Sequence, residues 1–253
     1  MTAWPEGVGR ATFETIDSTN AEAQRRALAG ATSPIWIQSD RQEQGRGRRG
    51  RPWSSDAGNF AATLLMFPEG GPAEAALRSF VAALALRDAL VEITDHEELF
   101  SLKWPNDVLL RGRKLAGILL ESGNASGRMY LCIGIGVNLS HVPSAQMLEP
   151  RALPPVCLKN ATGLIVSPSD LLETLARHFA KWERIFTEQG FGPIRTAWLS
   201  HAAHLGQPVT ARLPEREVVG TFETLDETGA IVLQTPEGKK VFPAAEIHFG
   251  TEA

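Results

Sequence analysis

Apolar positions along the chain change their spacing several times, and each change marks an element. DSTNAEAQRRALAG, residues 17–30, predicts a helix that Asp17, Ser18 or Thr19 can cap and Gly30 can end. SPIWIQSD, residues 33–40, is a short apolar stretch after a proline and predicts a strand. NFAATLLMF, 59–67, is fully apolar at its end and predicts a buried one. Pro72 then opens a helical stretch, AEAALRSFVAALALRDAL, whose apolar positions recur near every 3.6 residues. LFSLKW predicts a strand and Pro105-Asn106-Asp107 a turn. VLLRGRKLAGILLESG predicts two short strands around a tight Arg-Gly turn, followed by the loop SGNASGR. MYLCIGIGVNL is a third strand in succession. Gly134 and Gly136 weaken it, which implies that something approaches its backbone closely. Residues 140–166 read as irregular and proline-rich. Ser167-Pro168-Ser169-Asp170 starts a helix that runs to Gly190, and a second follows from Pro193 to His204. From Leu205 the texture changes to short alternating strands with turn signals at Pro214-Glu215, Glu227-Thr228-Gly229 and Pro236-Glu237-Gly238. That pattern predicts a small all-β barrel of roughly 45 residues.

Composition narrows the class. At 253 residues and 43% hydrophobic content the chain can bury a sizeable core, as one large domain, 1–204, and a small one, 205–253. The formal net charge is −4, whereas a general nucleic-acid binder carries a basic surplus. Positive charge is local, which favours a small anion over a polyanion. Cys132 and Cys157 stand outside any CxxC, which argues against a zinc site or redox pair, and Cys132 lies in an apolar run as inert core. With no secretory signal and no apolar run near ~18 residues, a soluble cytoplasmic protein is expected.

Candidate chemistry begins with Gly45-Arg46-Gly47-Arg48-Arg49-Gly50-Arg51, four guanidinium groups on a glycine-rich segment. A solvated charge run, an RNA-binding segment and an anion clamp are all open readings. The run is single and short, and only Trp53 stands nearby for stacking. As a clamp, arginine offers planar paired donors to phosphate or carboxylate, and glycine admits backbone N–H groups. KWPND, 103–107, is either a plain β-turn or a lysine, an amide and a carboxylate aimed at a nucleotide and magnesium. Lys114, in an apolar strand, either snorkels at an edge or points into a cleft, where Gly117 would let a ligand lie flat. IGIGVNL, 133–139, is not a dinucleotide fingerprint, since the third glycine and the following helix are missing. Asp17-Ser18-Thr19-Asn20 is a helix cap that could also hydrogen-bond a polar ring. His201 and His204 lack a third ligand for a metal. Neither GxSxG nor a phosphate-binding P-loop occurs.

Order and spacing add what no single motif carries. STN, RQEQGRGRRGRPW, KWPND, KLAGILLE and GIGVNL, with KNATG and GFGPIRTAW beyond them, closely resemble the biotin protein ligase family over nearly the whole chain. The resemblance implies an α/β (α+β) catalytic domain with a mixed, mostly antiparallel sheet, similar to class II aminoacyl-tRNA synthetases and lipoate ligases, and an SH3-like C-terminal β-barrel. It implies that ATP and biotin form biotinyl-5′-AMP, with Mg2+, and that the biotinyl group passes to a lysine of a biotin carboxyl carrier domain of acetyl-CoA carboxylase. Lys114, Arg48 and Asp107 are the implied catalytic groups. The implied biotin contacts are Ser18, Thr19, Asn20, Gln42, Gly45, Arg46, Lys114, Gly117 and Gly134. The implied nucleotide contacts are Arg46, Gly47, Arg48, Trp53, Asn106 and Asn138. Metal ligands are not implied. Some members carry an N-terminal helix-turn-helix; here the STN helix begins at residue 18, so DNA binding is not expected, nor is a membrane. Ala244-Ala245-Glu246 stands where a Gly-Glu pair is common, which leaves the barrel's role open. The rivals are a lipoate or octanoate ligase on the same fold and a silent biotin- or RNA-binding module. A homodimer stands only as a base rate.

Overall fold

The computed structural model describes residues 4–53, 55–144 and 152–249. Its main sheet is built from β1 (Gly9–Ile16), β2 (Ile35–Gln42), β3 (Phe60–Met66), β4 (Phe100–Lys103), β5 (Asp107–Leu110), β6 (Arg113–Ala125) and β7 (Arg128–Val137). They lie in the order β1-β2-β3-β7-β6-β5-β4. Only β1 and β2 pair in parallel; the other neighbours are antiparallel.

Side chains alternate across a strand, so the sheet has two faces of different character. On one, Ala62, Leu64, Ile118, Ile133 and Ile135 join the large apolar cluster with helices α3 (Arg78–Thr94) and α5 (Pro168–Gln189). Helix α3 is apolar on nearly every side and is accordingly buried on nearly every side. On the other face α1 (Thr19–Leu28) covers only one corner, where Ala23 and Ala27 meet Ile37, Leu65 and Cys132. The rest of that face is left for the site. Burial pushes the Cys132 thiol up to about 12, which keeps it unreactive.

One buried ion pair ties the backing helices together. Arg78, 2% exposed, donates from Nε (2.9 Å) to Glu183 Oε1 and lies over the Phe186 ring at 4.8 Å. Burial raises the Glu183 pKa despite the adjacent guanidinium.

After α6 (Phe191–Ser200) the chain forms β8 (Pro208–Arg212), β9 (Glu217–Leu225), β10 (Ile231–Thr235), β11 (Gly238–Phe242) and β12 (Glu246–Phe249), an antiparallel sheet in the order β11-β10-β9-β8-β12. Its buried residues continue the main cluster. Trp104 Nε1 donates to Gly229 O at 2.9 Å, and Arg195 Nε donates to Leu225 O at 2.6 Å, across the junction.

Several elements differ from the sequence expectation. The helix after Pro72 is two helices, α2 (Pro72–Ala76) and α3, divided at Leu77. The expected loop SGNASGR is paired into β6 and β7, because Ser126 and Gly127 (φ 51° and 80°) make the left-handed turn that a tight hairpin needs. α6 ends at Ser200, so His201 and His204 share no helix face; His204 stacks on Phe249 at 3.8 Å. β1 was not expected, since its charged edge positions hide the alternation. A short α4 (Leu158–Thr162) lies within the stretch read as irregular, of which residues 145–151 are outside the described residues.

Candidate functional site

Strand register builds the floor of the open face. Directly opposite residues in antiparallel strands share a face, and one such row runs Ala61, Gly136, Gly117, Asp107, Lys103 across β3, β7, β6, β5 and β4. The next row toward α1 holds Thr63, Gly134 and Leu119. The two glycines of β7 are what close approach demands. A Cβ on Gly136 would run into the Trp53 indole, and one on Gly134 into the Asn20 amide. Trp53 thus lies across Gly136 and Gly117, and Asn20 sits on Gly134.

The Arg/Gly segment that carries Trp53 is a compact turn. Trp53 N donates to Gly45 O (2.9 Å) and Gly47 N to Arg51 O (2.7 Å), with Arg49 left-handed at φ 58° between them. Its arginines are engaged unequally. Arg46 donates to both oxygens of Glu121, at 3.2 and 3.1 Å from Nη2. Arg49 and Arg51 meet Glu246 of β12, at 3.4 and 3.2 Å. Arg48 has no carboxylate partner among the described residues; its Nη1 donates to Asn106 Oδ1 at 3.3 Å. Burial, then the crowding charges of Arg49 and Arg51, lowers the Arg48 pKa against the attraction of Asp107. Burial also works against the Glu246 charge, but the Arg51 bond and the Arg49 field outweigh it and hold that carboxyl below its usual range.

Opposite the loop, Lys114 Nζ stands 2.8 Å from Asp107 Oδ1 and 5.9 Å from the Trp53 ring centroid. That Asp107 oxygen has no aligned hydrogen-bond donor among the described residues. Asn106 Nδ2 donates to Ile118 O, which fixes its amide. Asn138 Nδ2 donates to Val156 O at 3.3 Å and anchors the segment that forms the far wall.

The closed end toward α1 is a buried polar chain. Ser18 caps the helix, its Oγ accepting from Ala21 N at 3.5 Å. Thr19 N donates to Gln42 Oε1 at 2.8 Å, and Gln42 Nε2 donates to Ser55 Oγ at 2.8 Å. The Thr63 hydroxyl, fully buried, reaches Thr19 Oγ1 (2.8 Å) and Asn20 Oδ1 (2.6 Å). Asn20 Nδ2 donates to Glu121 Oε2 at 2.6 Å.

Most of these groups border one cavity; Thr63 and Glu121 stand behind it and hold Asn20 and Arg46, which do. The site residues anticipated from sequence line it, Gly45 excepted, whose carbonyl supports Trp53 from behind the wall. The sequence reading did not single out Thr63 and Glu121, which back the site; it named Lys103 only within KWPND, as a lysine that could face a nucleotide, and Glu246 only within Ala244-Ala245-Glu246. Glu121 stood in the quoted KLAGILLE, two and four positions beyond Leu119 and Gly117, and strand alternation puts it on their face. Nothing local marks Thr63, a threonine between Ala62 and Leu64 in an apolar strand. The cavity can hold an anionic ligand on the cations of loop and sheet, with a polar ring at the α1 end and an apolar stretch between. His, Cys, Asp and Glu form no group of three among the described residues that would hold a metal unaided.

Comparison with known sequences and structures bears on this cavity. A sequence model described as the Biotin/lipoate A/B protein ligase family matches residues 12–138, and one described as the Biotin protein ligase C terminal domain matches residues 204–250. A biotin--[acetyl-CoA-carboxylase] ligase of Paracoccus denitrificans is 50% identical over 92% of this chain and 98% of its own. A ligase described the same way from Mycobacterium tuberculosis is 29% identical, over 91% of this chain and 85% of its own. The solved biotin protein ligase of Aquifex aeolicus in complex with biotin and ATP superposes with a TM-score of 0.80 at 27% identity, covering 94% of this chain and 97% of that one.

Proposed function

The chain belongs to the biotin/lipoate A/B protein ligase family, and from that premise we propose how its cavity carries out the family's chemistry. The protein is an ATP-dependent biotin protein ligase that activates biotin as biotinyl-5′-AMP and transfers it to a lysine of a biotin carboxyl carrier protein. The biotin-ligase relative at half identity and the C-terminal match support biotin over lipoate. The ligase's partner is the carrier domain of acetyl-CoA carboxylase. No described helix is long and apolar enough to cross a membrane. Residues 1–204 form the catalytic domain and 205–253 the SH3-like one.

Adenylation sets a carboxylate against the α-phosphate of ATP. Two anions must meet, and charge grows on the phosphoryl oxygens, so fixed cations matter more than an acid or base. The observation that carries the assignment is that Arg48, from the loop, and Lys114, from β6, face one cavity, and that Arg48 has no carboxylate partner among the described residues. The ureido ring of biotin, with two N–H donors and one acceptor, takes Ser18, Thr19, Asn20 and Gln42 at the closed end. The valeryl chain passes between the Asn20 amide, which covers Gly134, and the Trp53 indole, which covers Gly117. Lys114 and Arg48 bridge the carboxylate and α-phosphate, with Arg46 and the Gly45 and Gly47 backbone supporting them. The Trp53 indole, lying across Gly117 and Gly136, offers its outer side to adenine, and Asn106 and Asn138 flank the nucleotide. A magnesium ion fits one carboxylate plus substrate phosphates; Asp107, with an oxygen lacking an aligned donor, would hold it there, where it would neutralise phosphate charge.

The polar end yields a test of its own. Thr63→Val keeps the shape but leaves Asn20 Oδ1 without its buried donor, a loss of about 1–3 kcal/mol. The KM for biotin should rise about tenfold or more while kcat changes little; a kcat defect at unchanged KM would contradict the placement. In addition, biotinyl-AMP should protect Arg46–Arg51 from trypsin, because closing the loop over the ligand shields it. Equal cleavage with and without ligand would count against a clamp.

The reaction itself is tested by incubating the protein with biotin, MgATP and a purified carrier domain. Pyrophosphate release should need both biotin and ATP, and the carrier should gain the mass of one biotinyl group. Release with lipoate or octanoate in place of biotin would overturn the substrate assignment.

A further inference from the structure

The cations of the cavity outnumber its carboxylates, and their pairing leaves a remainder. Arg46 is taken by Glu121, Arg49 and Arg51 by Glu246, and Lys114 by Asp107. Arg48 and Lys103 remain, and neither has an ion-pair partner among the described residues. Arg48 already has a part in the proposed reaction; Lys103 does not. Its ammonium has no hydrogen-bond acceptor among the described residues and rests 5.6 Å from the Phe249 ring centroid, on β12 of the C-terminal sheet. Phe249 is backed in turn by the stacked ring of His204. Burial, foremost, and the nearby charges of Lys114 and Arg48 lower the Lys103 pKa, against Asp107 and Glu246. A cation kept in that field with only a ring face for company favours an arriving anion.

Register says which anion. Lys103 is the last residue of the floor row, directly opposite Asp107, which is opposite Gly117. Neighbouring strands lie about 4.8 Å apart, so Lys103 on β4 stands about 10 Å from the Gly117 floor on β6, on the same face. The biotin carboxylate and α-phosphate meet above Lys114 and Asp107. A phosphate chain that leaves that point in the direction away from the biotin ring reaches β4.

We infer that Lys103 is the seat of the pyrophosphate leaving group, contacting the β- and γ-phosphates of ATP from the edge of the sheet. In the step, the biotin carboxylate oxygen forms a bond to the α-phosphorus, the bond from that phosphorus to the oxygen shared with the β-phosphate breaks, and its electron pair stays on that oxygen. The charge delivered to pyrophosphate develops beside the Lys103 ammonium, and no proton moves. The C-terminal sheet takes part by supplying the Phe249 face that holds this ammonium toward the cavity before ATP arrives.

The inference rests on the proposed ligase reaction, and Lys103→Gln tests it separately. Three measurements on the full-length protein are compared: biotin-dependent exchange of labelled pyrophosphate into ATP, inhibition of adenylation by pyrophosphate, and single-turnover transfer from isolated biotinyl-AMP to the carrier. The variant should need about tenfold or more pyrophosphate for both the exchange and the inhibition, the loss expected of a charged hydrogen-bond donor. Its transfer step, which no longer involves pyrophosphate, should fall far less, and that step also reports that the variant is folded. Lys103→Arg should regain part of the pyrophosphate affinity. Unchanged pyrophosphate affinity, or transfer impaired as much as exchange, would overturn the assignment. A wild-type protein that shows no biotin-dependent exchange would instead sink the ligase reading itself.

Discussion

Replacing Lys114 by alanine should lower biotinyl-AMP formation by about 10²–10³-fold, the cost of removing one preorganised donor from a developing oxyanion. Lys114 is the fixed cation that strand geometry places over the floor, with Asp107 at 2.8 Å and the Trp53 ring beneath it. Apart from Arg48, the residues around it bind parts of the ligands that look the same before and during reaction. Lys114 faces the atoms whose charge changes. The defect should therefore appear in kcat for adenylation, with KM for biotin little altered, since the ureido ring is held elsewhere. Rapid-quench measurement of biotinyl-AMP checks this; unimpaired adenylation would remove Lys114 from the mechanism. The transfer step supplies a second comparison, because there the carboxyl is already bonded to phosphate.

The largest expected effect on stability lies behind the sheet. Arg78→Ala should destabilise the protein by about 3–5 kcal/mol, because it strands Glu183 in the apolar layer between α3 and α5. Replacing both partners, Arg78→Met with Glu183→Leu, removes the stranded charge and should recover most of the loss. Glu183 also gives the deficit a pH dependence. Its folded pKa is already raised above the ordinary glutamate value by burial, so the folded state binds its proton more tightly than the unfolded state does. Stability from that source is complete below the unfolded pKa and is lost as pH rises through the folded one. Without Arg78 the carboxyl is raised further, so the deficit should grow from about pH 5 toward neutrality. Denaturant midpoints of the three proteins at two pH values check it; a double variant as unstable as the single would contradict the account.

Motifs on the floor of the site were readable in the sequence because backbone demands leave visible marks. Gly134 and Gly136 interrupt an apolar strand, and both turned out to lie under a side chain, Asn20 and Trp53. The Arg/Gly segment offered an anion clamp as one reading, beside a solvated charge run and an RNA-binding segment. What composition could not convey is which arginine would be left unpaired. Glu121 and Glu246 come from strands 75 and 195–197 residues away, and only folding brings them to Arg46, Arg49 and Arg51. Thr63 was hidden for a related reason: a hydroxyl in an apolar strand reads as β propensity until its partners on α1 are known. At the level of elements, the long apolar runs were legible, whereas β1 was missed because charged edge positions dilute its alternation. The β6–β7 hairpin ran on where glycine, serine and asparagine suggested a loop, since a two-residue turn uses the same residue types.

The central claim is that cations from separate segments converge where the biotin carboxylate meets the α-phosphate. A crystal structure with a non-hydrolysable biotinyl-adenylate analogue measures this directly. The account predicts that the linking phosphate oxygens lie within about 3.2 Å of both the Arg48 guanidinium and the Lys114 ammonium, with the ureido ring on Thr19 and Gln42. An analogue bound with its phosphate linker contacting neither group would contradict it.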